Sequence, residues 1–434
     1  MTARRLAAAL LALILVSSVV PVQAQAPRVE RLDNGFTIIV RENALAPIVA
    51  MSLLVRTGTR WERPEQVGIS NFLHAVMVKG TTTRSGARLA EEIAAMGGKI
   101  SARGDTDYSE VKSSALARFW KPLLGLSAEL AITPALAANE VDAERDWLLS
   151  RIQRRRDNAR SRAFDELYAA LYGAHPYALP SIGTAASLPR IDHAALVQHY
   201  RTYYQPQNMI LSVSGQVPAD EVVAEARRLF GPMAGGGAVA TPVSVVPAPA
   251  GRRLVIEQPA QQTQILVGAL APALDHPDHA AVKVLGTVLG GGMAGRLFSE
   301  LRDRRGLAYA ASSFYEAVPG PGALILYLGT APENAAKAED ALAQEIDKIR
   351  SARVSEAELA RAKNYVAGRY ELDRSTNERQ AWYAGFYTIA GVGTAYPERY
   401  RKELDRVTAD DVLRVAKAYM ATLTTVVLKP PAAR

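Results

Sequence analysis

With six histidines and no cysteine in 434 residues, any metal centre in this chain must come from imidazole and carboxylate, and disulfides and thiolate nucleophiles are excluded. Several groupings of reactive residue types have ordinary explanations. Asp275-His276-Pro277-Asp278-His279 contains metal-ligating types, but acids around a proline ahead of an apolar run read as a loop and a helix start. Gly290-Gly291-Gly292 could cradle a phosphate, yet no strand-Gly-Lys-Ser/Thr pattern accompanies it, so a turn between helices is expected. The basic run Arg151 to Arg162 belongs to an expected long helix, where arginines line a solvated or partner-facing surface. The formal charge is +8, from 51 Lys+Arg against 43 Asp+Glu, and its interspersed signs give no nucleic-acid footprint. Two places remain: Gly68 to Thr81, with His74 at its centre, and Arg302 with Tyr309 seven residues later.

The elements that must hold these residues follow from pattern. Arg4 and Arg5, the apolar run Leu6 to Val20 and Val22-Gln23-Ala24 read as a signal peptide cleaved near Ala24, so export to the periplasm or medium is expected. The apolar run is too short for a stable membrane span. Strands are expected over Phe36–Val40, Ile48–Val55 and Tyr108–Ala115, and helices over Val67–Val78, Gly86–Met96, Phe119–Ala131 and, unbroken, Glu140–Leu171. His193–Tyr204 and Met209–Val217 read as helix then strand. The same order returns after a Gly/Pro-rich stretch, through Gln264–Ala271, Asp278–Leu289, Arg296–Asp303, Leu307–Phe314, Ala323–Leu328 and the long helices from Pro332 to Tyr370. Asp411–Tyr419 followed by Thr424–Leu428 parallels the helix and strand that end the first half. The expected organisation is a signal peptide over 1–24, one domain over 25–230, a linker over 231–251 and a second, similar domain over 252–434.

Gly68-Ile69-Ser70-Asn71-Phe72-Leu73-His74-Ala75-Val76-Met77-Val78-Lys79-Gly80-Thr81 resembles the helix and Lys-Gly-Thr turn of the pitrilysin/insulinase zinc peptidases, in which an inverted motif His-x-x-Glu-His binds the metal. Two histidines four apart share a helical face, and the glutamate between them polarises water. This chain keeps the flanks and lacks the ligands. Asn71 stands at the first ligand position, His74 at the glutamate and Ala75 at the second ligand. The family's third ligand comes seven residues after another glutamate, and seven after Glu144 is Arg151. The resemblance runs along most of the chain through His175-Pro176-Tyr177, Ile182-Gly183-Thr184 and Tyr204-Gln205-Pro206-Gln207-Asn208.

Gly290 to Tyr309 resembles the segment that carries the family's arginine and tyrosine, which implies that Arg302 and Tyr309 hold a peptide carbonyl beside a metal bound elsewhere. The resemblance further implies an α+β fold of two similar α/β sandwich domains, each an antiparallel-rich sheet covered by helices, together half of a clamshell chamber. It implies no cofactor in this chain, with zinc in a homologous partner subunit of a heterodimer like the mitochondrial-processing branch, and an extended peptide as substrate. A second reading is a peptide-binding or scaffold protein of the same fold with no enzymatic partner.

Overall fold

The structure, a computed structural model, describes residues 26–431 apart from 236, 243–244, 246 and 248–250. The expected signal peptide and part of the expected linker lie outside the described residues.

The first half contains Arg28–Arg31 (β1), Thr37–Glu42 (β2), Ile48–Val55 (β3), Ile69–Met77 (α1), Gly86–Ala95 (α2), Lys99–Gly104 (β4) and Ser109–Leu116 (β5). Trp120–Ile132 (α3), Ala138–Asp157 (α4), Ala159–Tyr172 (α5), His193–Tyr203 (α6), Met209–Gly215 (β6) and Ala219–Phe230 (α7) complete it. Its sheet has the order β1-β2-β6-β3-β5-β4, with β2 parallel to β6 and the other neighbours antiparallel.

The second half runs through Arg253–Glu257 (β7), Thr263–Ala271 (β8), His279–Gly290 (α8), a π-helix over Leu297–Arg304, Ala310–Glu316 (β9) and Gly322–Thr330 (β10). Ala335–Ser351 (α9), Glu356–Asp373 (α10), Asn377–Ile389 (α11), Tyr396–Arg406 (α12), Ala409–Tyr419 (α13) and Thr424–Lys429 (β11) follow. The sheet order is β7-β11-β8-β10-β9, and β7 with β11 is its one parallel pair. Without β1, the first sheet has the same strand order and the same directions. The repeat read from the sequence is therefore a repeat of topology.

The halves are tied together by exchanging a helix. Leu167 and Leu171 of α5 pack with Leu266 of β8 and Val426 and Leu428 of β11, on the second sheet. Phe386, Tyr387 and Ile389 of α11 join a core containing Ile39, Leu54 and Ile210 of the first sheet. Each contact needs a missing side chain. A Cβ on Gly268 of β8 would stand 2.7 Å from Leu171 Cδ1, and one on Gly385 of α11 would stand 2.2 Å from Leu54 Cδ1. Polar bonds set the register: Asn377 donates to the Ile48 carbonyl at 3.1 Å and Arg56 to the Ile389 carbonyl at 2.6 Å. Burial of these facing apolar surfaces, with few unpaired polar groups between them, stabilises one arrangement of the halves.

Two expectations need correction. Glu140–Leu171 is two helices, because extended Asn158 (ψ 109°) ends α4 and its side chain accepts from Ser161 N at 2.9 Å to start α5. That break lets α5 leave the first half for the second sheet. The basic run is correspondingly divided, and Arg155 turns inward to hold Asp165 at 2.5 Å across the break. The expected loop and helix start at Asp275–His279 is present, α8 beginning at His279, and the Asp278 carboxylate accepts from Arg414 at 2.6 Å and Tyr419 at 2.9 Å.

Candidate functional site

The inverted-motif positions lie on α1, which packs beneath the edge strand β4 and against α4. The approach to β4 is very close: a Cβ on Gly104 would come within 2.4 Å of Asn71 N. At the start of α1, Glu62 accepts from Gly68 N at 2.7 Å and Ser70 N at 2.9 Å. Burial pushes that carboxyl up to about 7, the two backbone donors pulling the other way.

His74 is fully buried and both ring nitrogens are engaged. Nδ1 lies 2.6 Å from the Ser70 carbonyl, which can only accept, so Nδ1 carries the proton. Nε2 is then left to accept from the Tyr204 hydroxyl. Burial takes the imidazole down to about 4, so it stays neutral near pH 7. Beside it, His199 Nε2 lies 3.1 Å from both Ser70 Oγ and Thr57 Oγ1. These groups satisfy one another and leave His74 no free lone pair.

Zinc in a catalytic site takes about three protein ligands. Asn71 offers only a carboxamide, Ala75 offers nothing, and Arg151 on α4 is an exposed cation 4.6 Å over the Trp147 ring. These residues do not fit the metal. The frame survives through other bonds: Glu144, also on α4, pairs with Lys79 at 2.5 Å, and Arg145 reaches the Ile191 carbonyl at 3.0 Å.

Arg302 and Tyr309 sit on the other half. Arg302 lies on the π-helix, a winding frequent at functional sites, and its neighbours Leu297 and Leu301 are buried. Its exposed guanidinium rests 4.4 Å over the Phe298 ring. The sequence pattern puts Tyr309 within a strand; it instead immediately precedes β9, where its N–H bonds the Gly329 carbonyl at 2.8 Å. Tyr309 is 65% exposed. Neither the guanidinium nor the phenol has a hydrogen bond or ion pair among the described residues. Both flank β9, the outer strand of its sheet. The motif positions and the Arg302/Tyr309 pair thus belong to two different sheets.

The landmark turns have structural work. Gly183, at φ +88°, lets its loop touch Gly68, and Tyr177 donates to Asp107 at 2.6 Å while accepting from Gly320 N across the halves. Sequence reasoning passed over Glu62 and His199 and gave no site role to Ser70 and Tyr204, which it quoted only within family landmarks, because the four are separated along the chain. It also missed Lys283, whose only signal is that it is the one formally charged side chain within α8, an otherwise apolar helix.

An α+β molecule built from two matched sheets, with a peptidase's helix and turn on the first, defines the class. Residues 37–185 match the profile of the insulinase family, peptidase family M16, and residues 190–366 match that of the peptidase M16 inactive domain. The chain belongs to the pitrilysin/insulinase family. It is 27% identical over 404 residues to an uncharacterized zinc protease of Rickettsia felis, covering 92% of this chain and 96% of that protein. A Mycobacterium bovis uncharacterized zinc protease is 28% identical over 409 residues, covering 92% and 91%. Among solved structures, a protease from Helicobacter pylori superposes with TM-score 0.88 at 22% identity, covering 93% of this chain and 99% of that one. A peptidase M16 inactive domain from Pseudomonas fluorescens gives 0.85 at 23%, covering 94% and 99%. Likeness at that identity establishes the fold. Among the described residues no helix is long and apolar enough to cross a membrane.

Proposed function

We propose that this chain is an exported, non-catalytic subunit of a heterodimeric zinc peptidase, and that it supplies Arg302 and Tyr309 to the active site of a homologous zinc-bearing partner. One asymmetry carries this reading. The residues at the metal positions offer no set of free ligands, while an exposed guanidinium and an exposed phenol at a sheet edge make no hydrogen bond or ion pair among the described residues. Both groups donate hydrogen bonds, the requirement for holding a peptide carbonyl as charge develops on its oxygen. The outer strand β4 adds a second support: it ends its sheet, so an extended peptide can pair with its free edge. Zinc then belongs to the partner and polarises the attacked carbonyl and water there, while this chain binds and orients.

Copurification from the native host identifies the partner, and mixing the purified chains tests the division of labour. Activity is expected from the mixture and from neither chain alone. Arg302→Ala and Tyr309→Phe are expected to slow turnover of the assembled complex by about 10–1,000-fold, the usual cost of losing an oxyanion-type donor. Unchanged turnover would remove the assigned roles. If no zinc-bearing chain copurifies and bound peptides do, the molecule is a peptide-binding scaffold.

A further inference from the structure

The second half contains a cleft that corresponds, through the repeat, to the cleft that holds the metal positions in the first. α8 packs beneath the outer strand β9 as α1 packs beneath β4, and α10 packs on α8 as α4 packs on α1. In the second half this cleft is a cavity of about 430 Å³, within the size range of small-molecule sites.

Its wall holds donors that the protein does not use. Lys283 of α8 is partly buried there, and its ammonium makes no hydrogen bond or ion pair among the described residues. Burial lowers its hold on its proton, and the charge of Asp373 opposes that effect from across the cavity. Asp373 is already occupied, accepting from Arg379 at 2.6 Å and from Tyr383. Ser313 of β9 is 8% exposed, and its Oγ has no hydrogen-bond partner among the described residues. Arg369 stands exposed on the same wall with no hydrogen bond or ion pair among the described residues, its charge acting on Asp373 only through space. With Asp373 balanced by Arg379, Lys283 and Arg369 leave the cavity positive. Tyr365 and Tyr400 give it aromatic sides.

An unpaired buried donor costs free energy, and two in one cavity call for a common acceptor. A carboxylate answers best. Its two oxygens match one ammonium and one hydroxyl, and an aromatic or apolar body would fill the tyrosine-lined remainder; a phosphate would bring more charge and more acceptor sites than the two buried donors satisfy. We propose that this cavity binds a small organic monocarboxylate with an aromatic or apolar body, about the size of an N-acylated amino acid, with Lys283 as its charge anchor. The site is independent of the peptidase reading.

Calorimetry on the full chain tests it with three probes: N-acetyl-tyrosine, its amide, and inorganic phosphate. Saturable one-to-one binding of the acid is expected, with no binding of the amide and weaker binding of phosphate. Lys283→Met is expected to weaken the acid by about 10–100-fold, the usual worth of a hydrogen bond to a charged group, and Ser313→Ala by less. Lys283→Met is also expected to raise the melting temperature of the ligand-free protein, because an unpaired charge leaves a partly buried position. That rise separates loss of binding from loss of folding. Equal binding of the amide, tighter binding of phosphate, absence of saturable binding of the acid, or an unchanged affinity in Lys283→Met would each overturn the proposal.

Discussion

The two halves place the same three elements around the same cleft and finish them differently. In the first, α1 beneath β4 is closed by its own hydrogen bonds: Tyr204 occupies the lone pair of His74, and Glu62 fills the start of the helix. In the second, α8 beneath β9 leaves Lys283 and Ser313 without a hydrogen bond or ion pair among the described residues, and the side chains of Arg302 and Tyr309 flank the strand equally unbonded there. The difference teaches how a duplicated fold loses one site without losing its shape. Where the resembled family has metal ligands, this chain has internal hydrogen bonds that hold the helix in place.

The strongest way to break that comparison is to put the ligands back. A variant carrying Asn71→His, His74→Glu, Ala75→His and Arg151→Glu is expected to gain about one zinc per chain by elemental analysis, because α1 and α4 still pack together. Zinc at background level would show that the first cleft has closed around Tyr204 beyond reopening.

A smaller effect tests whether both helices depend on the same close approach to an edge strand. The first half places the required glycine on the strand, at Gly104, and the second places it on the helix, at Gly290. A Cβ at Gly104 would stand 2.4 Å from Asn71 N, and one at Gly290 would stand 2.0 Å from Ser313 N. Both contacts are with backbone, which cannot turn aside. Gly104→Ala and Gly290→Ala are each expected to cost about 3 kcal/mol in urea unfolding, towards the upper end for overpacking. Gly385→Ala meets only the Leu54 methyl and should cost about 1 kcal/mol. Equal losses at the three positions would remove the distinction between backbone and side-chain clashes.

The smallest expected effect is in the pH dependence of stability. Burial holds His74 and His175 at about 4 and His199 and His279 at about 3, below the ordinary imidazole value of 6.5. Each therefore adds stability above that value, and the contribution is lost on acidification as the unfolded chain takes up the proton first. Glu62, raised to about 7, acts in the opposite sense: its contribution is present at low pH and is lost as pH rises through about 7. The four histidines outweigh Glu62 and the two other carboxyls that burial raises, Asp107 and Glu316, so stability should fall as pH drops from 6.5 towards 4.5. Glu62→Gln should steepen that fall by up to about 1.4 kcal/mol per pH unit, the worth of one proton. A slope unchanged by Glu62→Gln in denaturant titrations at several pH values would show that Glu62 does not titrate in this range.

Much of the fold was legible because the signals were local. Ile48–Val55 is a strand to the residue, the turn at Gly290–Gly292 separates α8 from the π-helix, and the repeated order of elements becomes a repeated sheet topology. Strands such as β4, with its mixed exposure, and β7 at the far edge gave weaker patterns because an edge strand buries little of itself. The candidate site was legible where residues kept a motif's spacing: Asn71, His74 and Ala75 on one helix, and Arg302 with Tyr309 across one turn. Glu62, Ser70, His199, Tyr204 and Lys283 were not, since what unites them is proximity after folding.

By itself, then, the sequence placed Asn71, His74, Ala75 and Arg151 at the positions where the resembled family has its metal-site residues, because motif spacing is local, whereas the fold showed that the lone pair of His74 is already taken by Tyr204. The sequence also determined that the chain repeats its elements, because periodicity and turn residues act over a few positions. Only the tertiary structure decided that α5 and α11 each cross to the other half's sheet, since Asn158 ends a helix locally but a whole sheet chooses where the next one packs. It alone decided which polar groups are spent and which remain free. His74 on α1 and Lys283 on α8 are each a polar side chain on a largely apolar helix, and burial beside Tyr204 silences one while a place in a cavity with no ion pair among the described residues leaves the other available.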